Sequence, residues 1–588
     1  MQAKQFGLSG LAGAAAFAIL QLWTMACGTG TQGTQPGPQI AVTTVVPSYA
    51  VAGGGAFSLF VNGSGFTPSS AVEWNGTPLP TTFGTDAILT ASVSDSMISS
   101  PGTIKVTVKD SSSGAISNAQ PFGIASPAAA TAGVIQLITV ATDGSAANAD
   151  SLVPPSINAD GRYVAFQSAA SDLVPGPASG FQDIYLRDTC LGSAPPGCSP
   201  GTVRISVTFN GSPTNFHSFD SSVSADGRFV AFDSQATNLL PNTSICSNSC
   251  VFLRDTCNGA PPGCIPVTSL ISVAGDGSTA GGANPSIRGD EFVAYNSNAP
   301  NIVNGDNNGV ADTFVRSTCF GALTGCSPAN TLVSVPSTGG WGNAQSGLPA
   351  ISSSGRFIAF QSWATNMVPN ATVAPGDYWR DTCLGATGPC TPVTTRMDLS
   401  ADGSEPNNST FNGAIPAISS DGRMVAFSST ATDLVSVNVA GMGNVYVRDT
   451  CAGVSAGCAP ATSLASLAND ASAGNSSSGN QSISANARYV AFASLASNLV
   501  PGDTEPAGGF KDIFVHDTCF GAASGCTPST VRVSVTNTPN PETQANAISD
   551  YPSISGDGHY VVFLSAATNL VSPATNGHGM VFLAKTGF

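Results

Sequence analysis

Fourteen of the fifteen cysteines fall into close pairs: Cys190/Cys198, Cys246/Cys250, Cys257/Cys264, Cys319/Cys326, Cys383/Cys390, Cys451/Cys458 and Cys519/Cys526. An even set at short spacing reads as disulfides. Zinc is the other chemistry that paired cysteines serve, but six of the seven spacings are seven or eight residues, with no histidine among them, which does not suit that metal. Closing so short a loop contributes roughly 2–3 kcal/mol at most, so these bridges pin loops and do not join domains. They imply an oxidising compartment. Cys27 is left over.

Asp306-Asn-Asn-Gly-Val-Ala-Asp312 offers Asp306, Asn308 and Asp312 as oxygen ligands at the short spacing calcium takes. An Asx-stabilised turn explains the same residues, and both readings stay open. Calcium is the one cofactor the sequence suggests. Gly-x-Ser-x-Gly occurs at Gly197–Gly201 and Gly453–Gly457. A nucleophile elbow needs a strand-turn-helix, whereas both matches sit at paired cysteines in hairpin loops. Only four histidines occur, His217, His516, His559 and His578, so a multi-histidine metal site is not expected.

The elements that must position these residues come from a repeat. Pro155-Ser-Ile-Asn-Ala-Asp-Gly-Arg-Tyr-Val-Ala-Phe166 opens the first copy, and its closing aromatic returns at Phe232, Tyr295, Phe360, Phe427, Phe492 and Phe563. The period is about 66 residues, which decides the fold. Each copy reads as four strands. A short first strand ends at Ile157 and its equivalents. An Asp-Gly hairpin turn follows, as at Asp160-Gly161 and Asp226-Gly227. The second strand is Tyr163–Phe166, the third Asp183–Asp188 and the fourth Val203–Val207. The second strand is apolar at four consecutive positions, so both faces of its sheet are covered. Stacked blades around an axis do this, and the expected fold is a seven-bladed β-propeller over 134–588. The last copy stops after its third strand. Residues 134–141 supply the missing one and are expected beside Met580–Leu583, leaving no open sheet edge.

These repeats resemble TolB-type propellers. The residues that match are Ser224, Asp226, Gly227, Val230, Ala231 and Phe232, with Asp183-Ile-Tyr185 and Asp512-Ile-Phe514. The third copy has Gly289-Asp290 in place of Asp-Gly, the sixth Asn486-Ala487, and seven copies exceed the six of TolB itself. The resemblance implies a fold more than a function.

Residues 38–125 are rich in period-two strands such as Phe57–Val61 and Ile104–Val108, punctuated by Asn75-Gly76 and Pro101-Gly102. A β-sandwich is expected. The segment resembles an IPT/TIG immunoglobulin-like domain in Pro47, Val61–Phe66, Val72–Gly76 and Ser117-Asn118. That resemblance implies a spacer or binding module, with Trp74 in its core. Residues 126–133 read as a linker. Ahead of the sandwich, Lys4 and an apolar run from Phe6 to Ala26 have the form of an export signal. Thr24-Met-Ala-Cys27 resembles a bacterial lipobox, which implies lipidation of Cys27. Residues 1–27 are then the signal and 28–37 a tether.

The chain has 588 residues, a net charge of −16 and only 9% charged residues. That balance excludes nucleic acid and anionic membrane surfaces as partners. The membrane is reached only through the N-terminal anchor, and a monomer in the bacterial cell envelope is expected. The regular face of the propeller carries the Asp-Gly turns and six bridged loops. The other carries long Asn/Ser/Gly-rich loops with Phe216, Phe219, Trp341, Phe411 and Tyr551, candidates for contact with a protein or glycan. The extra Cys246/Cys250 pair is expected among these irregular loops. The alternative for the aromatics is that each ring caps its own loop. Asp172, Asn238, Asn301, Asn366, Asp433, Asn498 and Asn569 recur in every copy and read as structural, as do the Arg-Asp pairs such as Arg187-Asp188. The expected function is that of a non-enzymatic, lipid-anchored binding or scaffold protein. The alternative is a propeller-based polysaccharide lyase or glycosidase. It requires a cluster of titratable residues breaking the repeat, and none is legible.

Overall fold

Tyr163–Ser168, Phe229–Ser234, Phe357–Ser362, Met424–Ser429 and Tyr489–Ser494 are buried at all six positions. A strand alternates its side chains between two faces, so burial at every position requires neighbours on both. In the computed structural model these neighbours are other sheets. The structure describes residues 40–588 except 47–48, 52–56, 101, 126–134, 196, 242–247, 262, 321–326, 387, 411–412, 440, 455–456, 504–508, 523, 538–543 and 573. The chain divides at Gln39/Ile40 into two units. The first unit, with the expected signal, Cys27 and tether, lies outside the described residues, as do the linker, Cys246, Cys326 and Phe411.

Residues 135–585 form seven four-stranded antiparallel sheets among the described residues, all but one in consecutive order. The exception joins the chain ends: Ile135–Leu137 pairs with Met580–Lys585, with Ile135 opposite Ala584. In each sheet the closing aromatic of the second strand packs on an aromatic of the third. Phe166 lies 5.8 Å from Tyr185, Phe427 5.8 Å from Tyr446 and Phe563 5.9 Å from Phe582. Backbone hydrogen bonds pass from sheet to sheet beside the first turns. Ala159 N donates to Ala225 O, Ala225 N to Arg288 O, Ser420 N to Ala485 O and Ala485 N to Gly556 O. Asp557 N then donates to Ala159 O and returns from the seventh sheet to the first. The arrangement is all-β and propeller-like.

The same joint explains the turn glycine. Gly161 adopts φ +81°, and a Cβ there would lie 2.3 Å from Cδ2 of Tyr560, across the joint between the last sheet and the first. Gly161→Ala is expected to destabilise the chain by about 2–4 kcal/mol, from positive φ and overpacking together. A urea midpoint unchanged from the parent would contradict this.

The bridged loops are clamped by charge. Arg162 of the turn donates from Nε and Nη2 to Asp188, whose Oδ1 also accepts from Cys190 N. Arg228–Asp255, Arg356–Asp381, Arg423–Asp449 and Arg488–Asp517 repeat the pair. Arg187 bonds Thr202 instead. Disulfides join Cys190–Cys198, Cys257–Cys264, Cys383–Cys390, Cys451–Cys458 and Cys519–Cys526. Five such bridges belong to an oxidising compartment, and the protein is an exported one. Among the described residues no helix is long and apolar enough to cross a membrane.

Cys250 corrects the sequence reading, which put it in an irregular surface loop with Cys246. It is the first residue of the strand Cys250–Asp255, paired with Ser234 of the neighbouring strand, and it is fully buried in the core. Its Sγ lies 3.1 Å from Ala280 O, and it packs in one apolar cluster with Phe232 and Phe252. The other repeats place Asp183, Asp312, Gly376, Asn444, Asp512 and Met580 opposite the matching serine. The strand therefore begins at this position in all seven copies, and a small sulfur side chain fills it as a core residue does. Cys250 is disulfide-bonded, so the expectation that it belongs to a bridge stands while its place in a loop does not.

Residues 41–125 form a four-stranded and a five-stranded sheet. They share a core of Leu59, Val61, Val72, Trp74, Val106, Val108 and Phe122. Trp74 is buried against Phe122, with ring centroids 4.7 Å apart.

Candidate functional site

Five of the seven first strands are longer than the short strand expected, and each carries a bulge. In Ser218–Val223 the register shifts between Phe219 and Ser222. The other shifts lie at Ala283/Ser286, Gly347/Ala350, Gly479/Ser482 and Asp550/Ser553. The extra residue turns left-handed each time: Asp220 (φ 40°), Asn284 (φ 53°), Leu348 (φ 55°), Asn480 (φ 51°) and Tyr551 (φ 53°). Asn and Asp tolerate this conformation, whereas Leu and Tyr are strained by it. A bulge re-aims side chains. Here the five residues, with Pro154 and Ile415, ring one end of a cavity of about 450 Å³ lined by the first strands of all seven sheets. That end is the face of the long, irregular loops.

The mouth is electrostatically uneven. Asp233, on the second strand beside the bulge of Asp220, is 3% exposed. Its Oδ2 accepts from Ser249 Oγ at 2.8 Å, while Oδ1 has no hydrogen-bond partner among the described residues. Burial, and then the charge of Asp220, push the Asp233 carboxyl up to about 7. Burial raises Asp220 as well. Opposite-sign charge appears elsewhere on the rim, where Lys511 Nζ lies 2.7 Å from Asp550 Oδ2. Asn480 Nδ2 donates to Asp550 Oδ1 at 2.7 Å, and so does Tyr551 N at 2.9 Å. Beside Asp220, the His217 ring lies 5.1 Å from Phe181, 5.1 Å from Phe216 and 5.9 Å from Phe219. Its Nδ1 accepts from Gln182 N, which leaves Nε2 to carry the proton of the neutral ring.

The residues singled out from sequence divide. Tyr551 lines the cavity and is 38% exposed. Phe216, 44% exposed, and half-buried Phe219 flank His217 next to Asp220. Trp341 is half-buried away from the cavity lining, and its carbonyl accepts from Asn366. At the suggested calcium loop, Asn308 directs its amide Nδ2 at Asp312 Oδ2, 2.7 Å away, and its own Oδ1 accepts from Val310 N. Asp312 Oδ1 takes Ser334 Oγ at 2.6 Å. Asn308 and Asp312 are thus bonded to each other, and Asp312 to Ser334. Asp188, Cys190 and Cys198 also converge, as do their equivalents, but the sulfurs are tied in disulfides and are not free thiolates. The recurring Asn238, Asn366 and Asn498 accept backbone N–H groups of the loops before their strands.

Sequence reasoning missed Asp220, Asp233, Lys511, Asp550 and Arg288. The signal lay in comparing copies position by position. After the closing aromatic the repeats carry Gln167, Asp233, Asn296, Gln361, Ser428, Ala493 and Leu564, a varied column in an otherwise regular strand.

No family model matches the chain, and no curated protein matches it. Among solved structures it is similar to a putative TolB from Agrobacterium tumefaciens, at 15% identity over 53% of this chain and 80% of that one, with a TM-score of 0.27. It is similar to an oligogalacturonate lyase from Vibrio parahaemolyticus, at 10% identity over 77% and 96%, TM-score 0.36. An auxiliary nutrient binding protein from Bacteroides thetaiotaomicron matches at 9% identity over 94% and 99%, TM-score 0.29. These likenesses agree with a propeller-like fold and reach no further. Enzymes, the lyase among them, stand among the similar structures. The expectation of a non-enzymatic protein is corrected accordingly. Its physical basis has gone too, because titratable side chains breaking the repeat do meet at the cavity mouth: Asp220 lines it, with Asp233 behind.

Proposed function

We propose that the chain is an envelope-bound, seven-bladed β-propeller that binds a glycan at the mouth of its axial cavity. In this reading residues 134–141 close the ring, an IPT/TIG domain (38–125) lifts it, and lipidated Cys27 holds it to the membrane. The observation that carries the binding role is the ring of left-handed residues, Asp220, Asn284, Leu348, Asn480 and Tyr551, around the cavity. Five non-glycine residues held left-handed, two of them (Leu348 and Tyr551) under strain, all line one cavity, and this marks a functional surface. Amide and carboxylate groups beside an aromatic ring suit sugar hydroxyls and the apolar face of a pyranose. A concave site of this volume fits a glycan better than a flat protein surface.

A second reading is favoured by one feature, the Asp220–Asp233 pair. Two neighbouring carboxyls can supply an acid and a base to a glycosidic bond. A glycan array probed with the disulfide-bonded chain, each hit being checked for depolymerisation, tests both. Tyr551→Ala is expected to weaken any hit about tenfold or more while leaving the fold intact. Silence of the array, or undiminished binding by Tyr551→Ala, would contradict glycan binding at the mouth.

A further inference from the structure

The opposite end of the cavity holds a charge that the fold does not explain. In most repeats the residue after the first strand is a serine or asparagine that accepts the N–H opening the second strand. Ser224 takes Phe229 N, Ser352 takes Phe357 N, Ser419 takes Met424 N, Ser484 takes Tyr489 N and Ser555 takes Tyr560 N. Asn158 does the same for Tyr163 N. The third repeat puts Arg288 there, a side chain with no acceptor. A structural hydrogen bond has been given up for a guanidinium.

That guanidinium lines the cavity. Its one side-chain hydrogen bond among the described residues runs from Nη1 to Ser420 Oγ at 3.2 Å, two sheets away. No carboxylate of the described residues forms an ion pair with it. Burial pulls its pKa down to about 10, so it stays cationic at neutral pH. A half-buried cation whose one side-chain hydrogen-bond partner among the described residues is a neutral hydroxyl is left for an incoming anion to neutralise. The clamp arginines, by contrast, each have an aspartate. Asn284 lies near the start of the strand Ala283–Ile287 and Arg288 follows its end, so the two residues sit towards opposite ends of the cavity. The acidic pair and the guanidinium therefore mark opposite ends.

We propose that Arg288 receives a carboxylate of the ligand, so that the glycan bound in the axial cavity is an acidic one, a uronate. The sugar part of this statement rests on the glycan reading above, and the carboxylate part rests on Arg288 alone. A single guanidinium fork matches the plane and the charge of one carboxylate. A polyanion such as phosphate is disfavoured, because its second charge has no partner and the acidic end repels it.

Arg288→Ser is the decisive variant, since it restores the residue of the other repeats and the hydrogen bond they make. It is expected to fold at least as well as the parent. D-galacturonate and D-galactose differ by the carboxylate, and acetate and inorganic phosphate separate the anion from the sugar. Titrated by NMR at pH 7, galacturonate is expected to bind about tenfold tighter than galactose. Arg288→Ser is expected to erase that difference, while Tyr551→Ala weakens both sugars alike. Equal affinity for the two sugars, galacturonate binding undiminished in Arg288→Ser, or phosphate binding tighter than either carboxylate would overturn the proposal. Acetate binding that Arg288→Ser abolishes, with neither sugar bound, would remove the glycan reading and leave the carboxylate site standing. No binding of any carboxylate would remove the site itself.

Discussion

Replacing Arg396 by leucine is expected to destabilise the protein by about 3–5 kcal/mol. Arg396 is buried in the fourth sheet, its side chain 2% exposed. Nε and Nη2 each lie 2.9 Å from an oxygen of Asp398, and Nη1 lies 2.9 Å from Glu405 Oε1. Burial alone would lower its pKa, but the hydrogen bonds and charge of Asp398 outweigh burial and hold it above its ordinary value. Asp377 stands beside this pair, its own carboxyl raised well above the usual range by burial and then by the charge of Asp398. Removing the guanidinium leaves Asp398 as a buried charge without its counter-ion. Two other repeats show the remedy. Where the fourth sheet has Arg396 and Asp398, the second has Leu270 and Ser272, and the fifth Leu464 and Ser466. The double variant Arg396→Leu/Asp398→Ser is therefore expected to recover most of the loss, because a buried ion pair exchanged for residues that fit is close to neutral. Denaturant melts of the single and double variants check this. A double variant no more stable than the single one would mean that the cluster is held by something other than the Arg396–Asp398 pair.

The repeat was legible because its determinants are local and recur. Asp160-Gly161 and its copies set the hairpins, and Tyr163–Phe166 reads as a doubly covered strand without reference to any distant residue. Most cysteine spacings read directly as short loops. Cys250 did not, because a spacing of four from Cys246 says nothing of the strand that begins at the second cysteine. The mouth was not legible for the opposite reason: its residues are the ones at which the copies differ. Asp233 is one of seven residues in a varied column, and nothing local says that it lies behind Asp220. That juxtaposition comes from a bulge made by ordinary residues, Phe219–Ser222, with no glycine to announce a left-handed turn. Aromatic content drew attention to the right face but could not separate Tyr551, which turns into the cavity, from Trp341, which does not. Arg288 is visible once the copies are aligned, yet its meaning depends on Ser420 being its only side-chain hydrogen-bond partner among the described residues.

Asp233→Asn is expected to stabilise the protein at alkaline pH by about 2–4 kcal/mol, with no gain at acid pH. The native carboxyl titrates near 7 against an ordinary value of 3.8, chiefly through burial and secondarily through Asp220. The folded state therefore holds a proton that the unfolded state has released between those two values. More protons bound to the native state means that stability falls as pH rises through that window, and levels off above it. Asparagine keeps the acceptor for Ser249 and carries no charge, so the variant loses this dependence. The two carboxyls titrate as a pair, so the inflection belongs to both. Urea melts of parent and variant at pH 4, 6 and 8 should diverge progressively, with equal midpoints at pH 4. Equal midpoints at pH 8 would show that the proton is not there to be lost. The same variant divides the two readings of the mouth. If Asp233 only shapes the rim, glycan affinity persists in Asp233→Asn. If the pair works as acid and base, binding persists but turnover is abolished, because a carboxyl that can both hold and give up a proton near neutrality is suited to protonate a leaving oxygen.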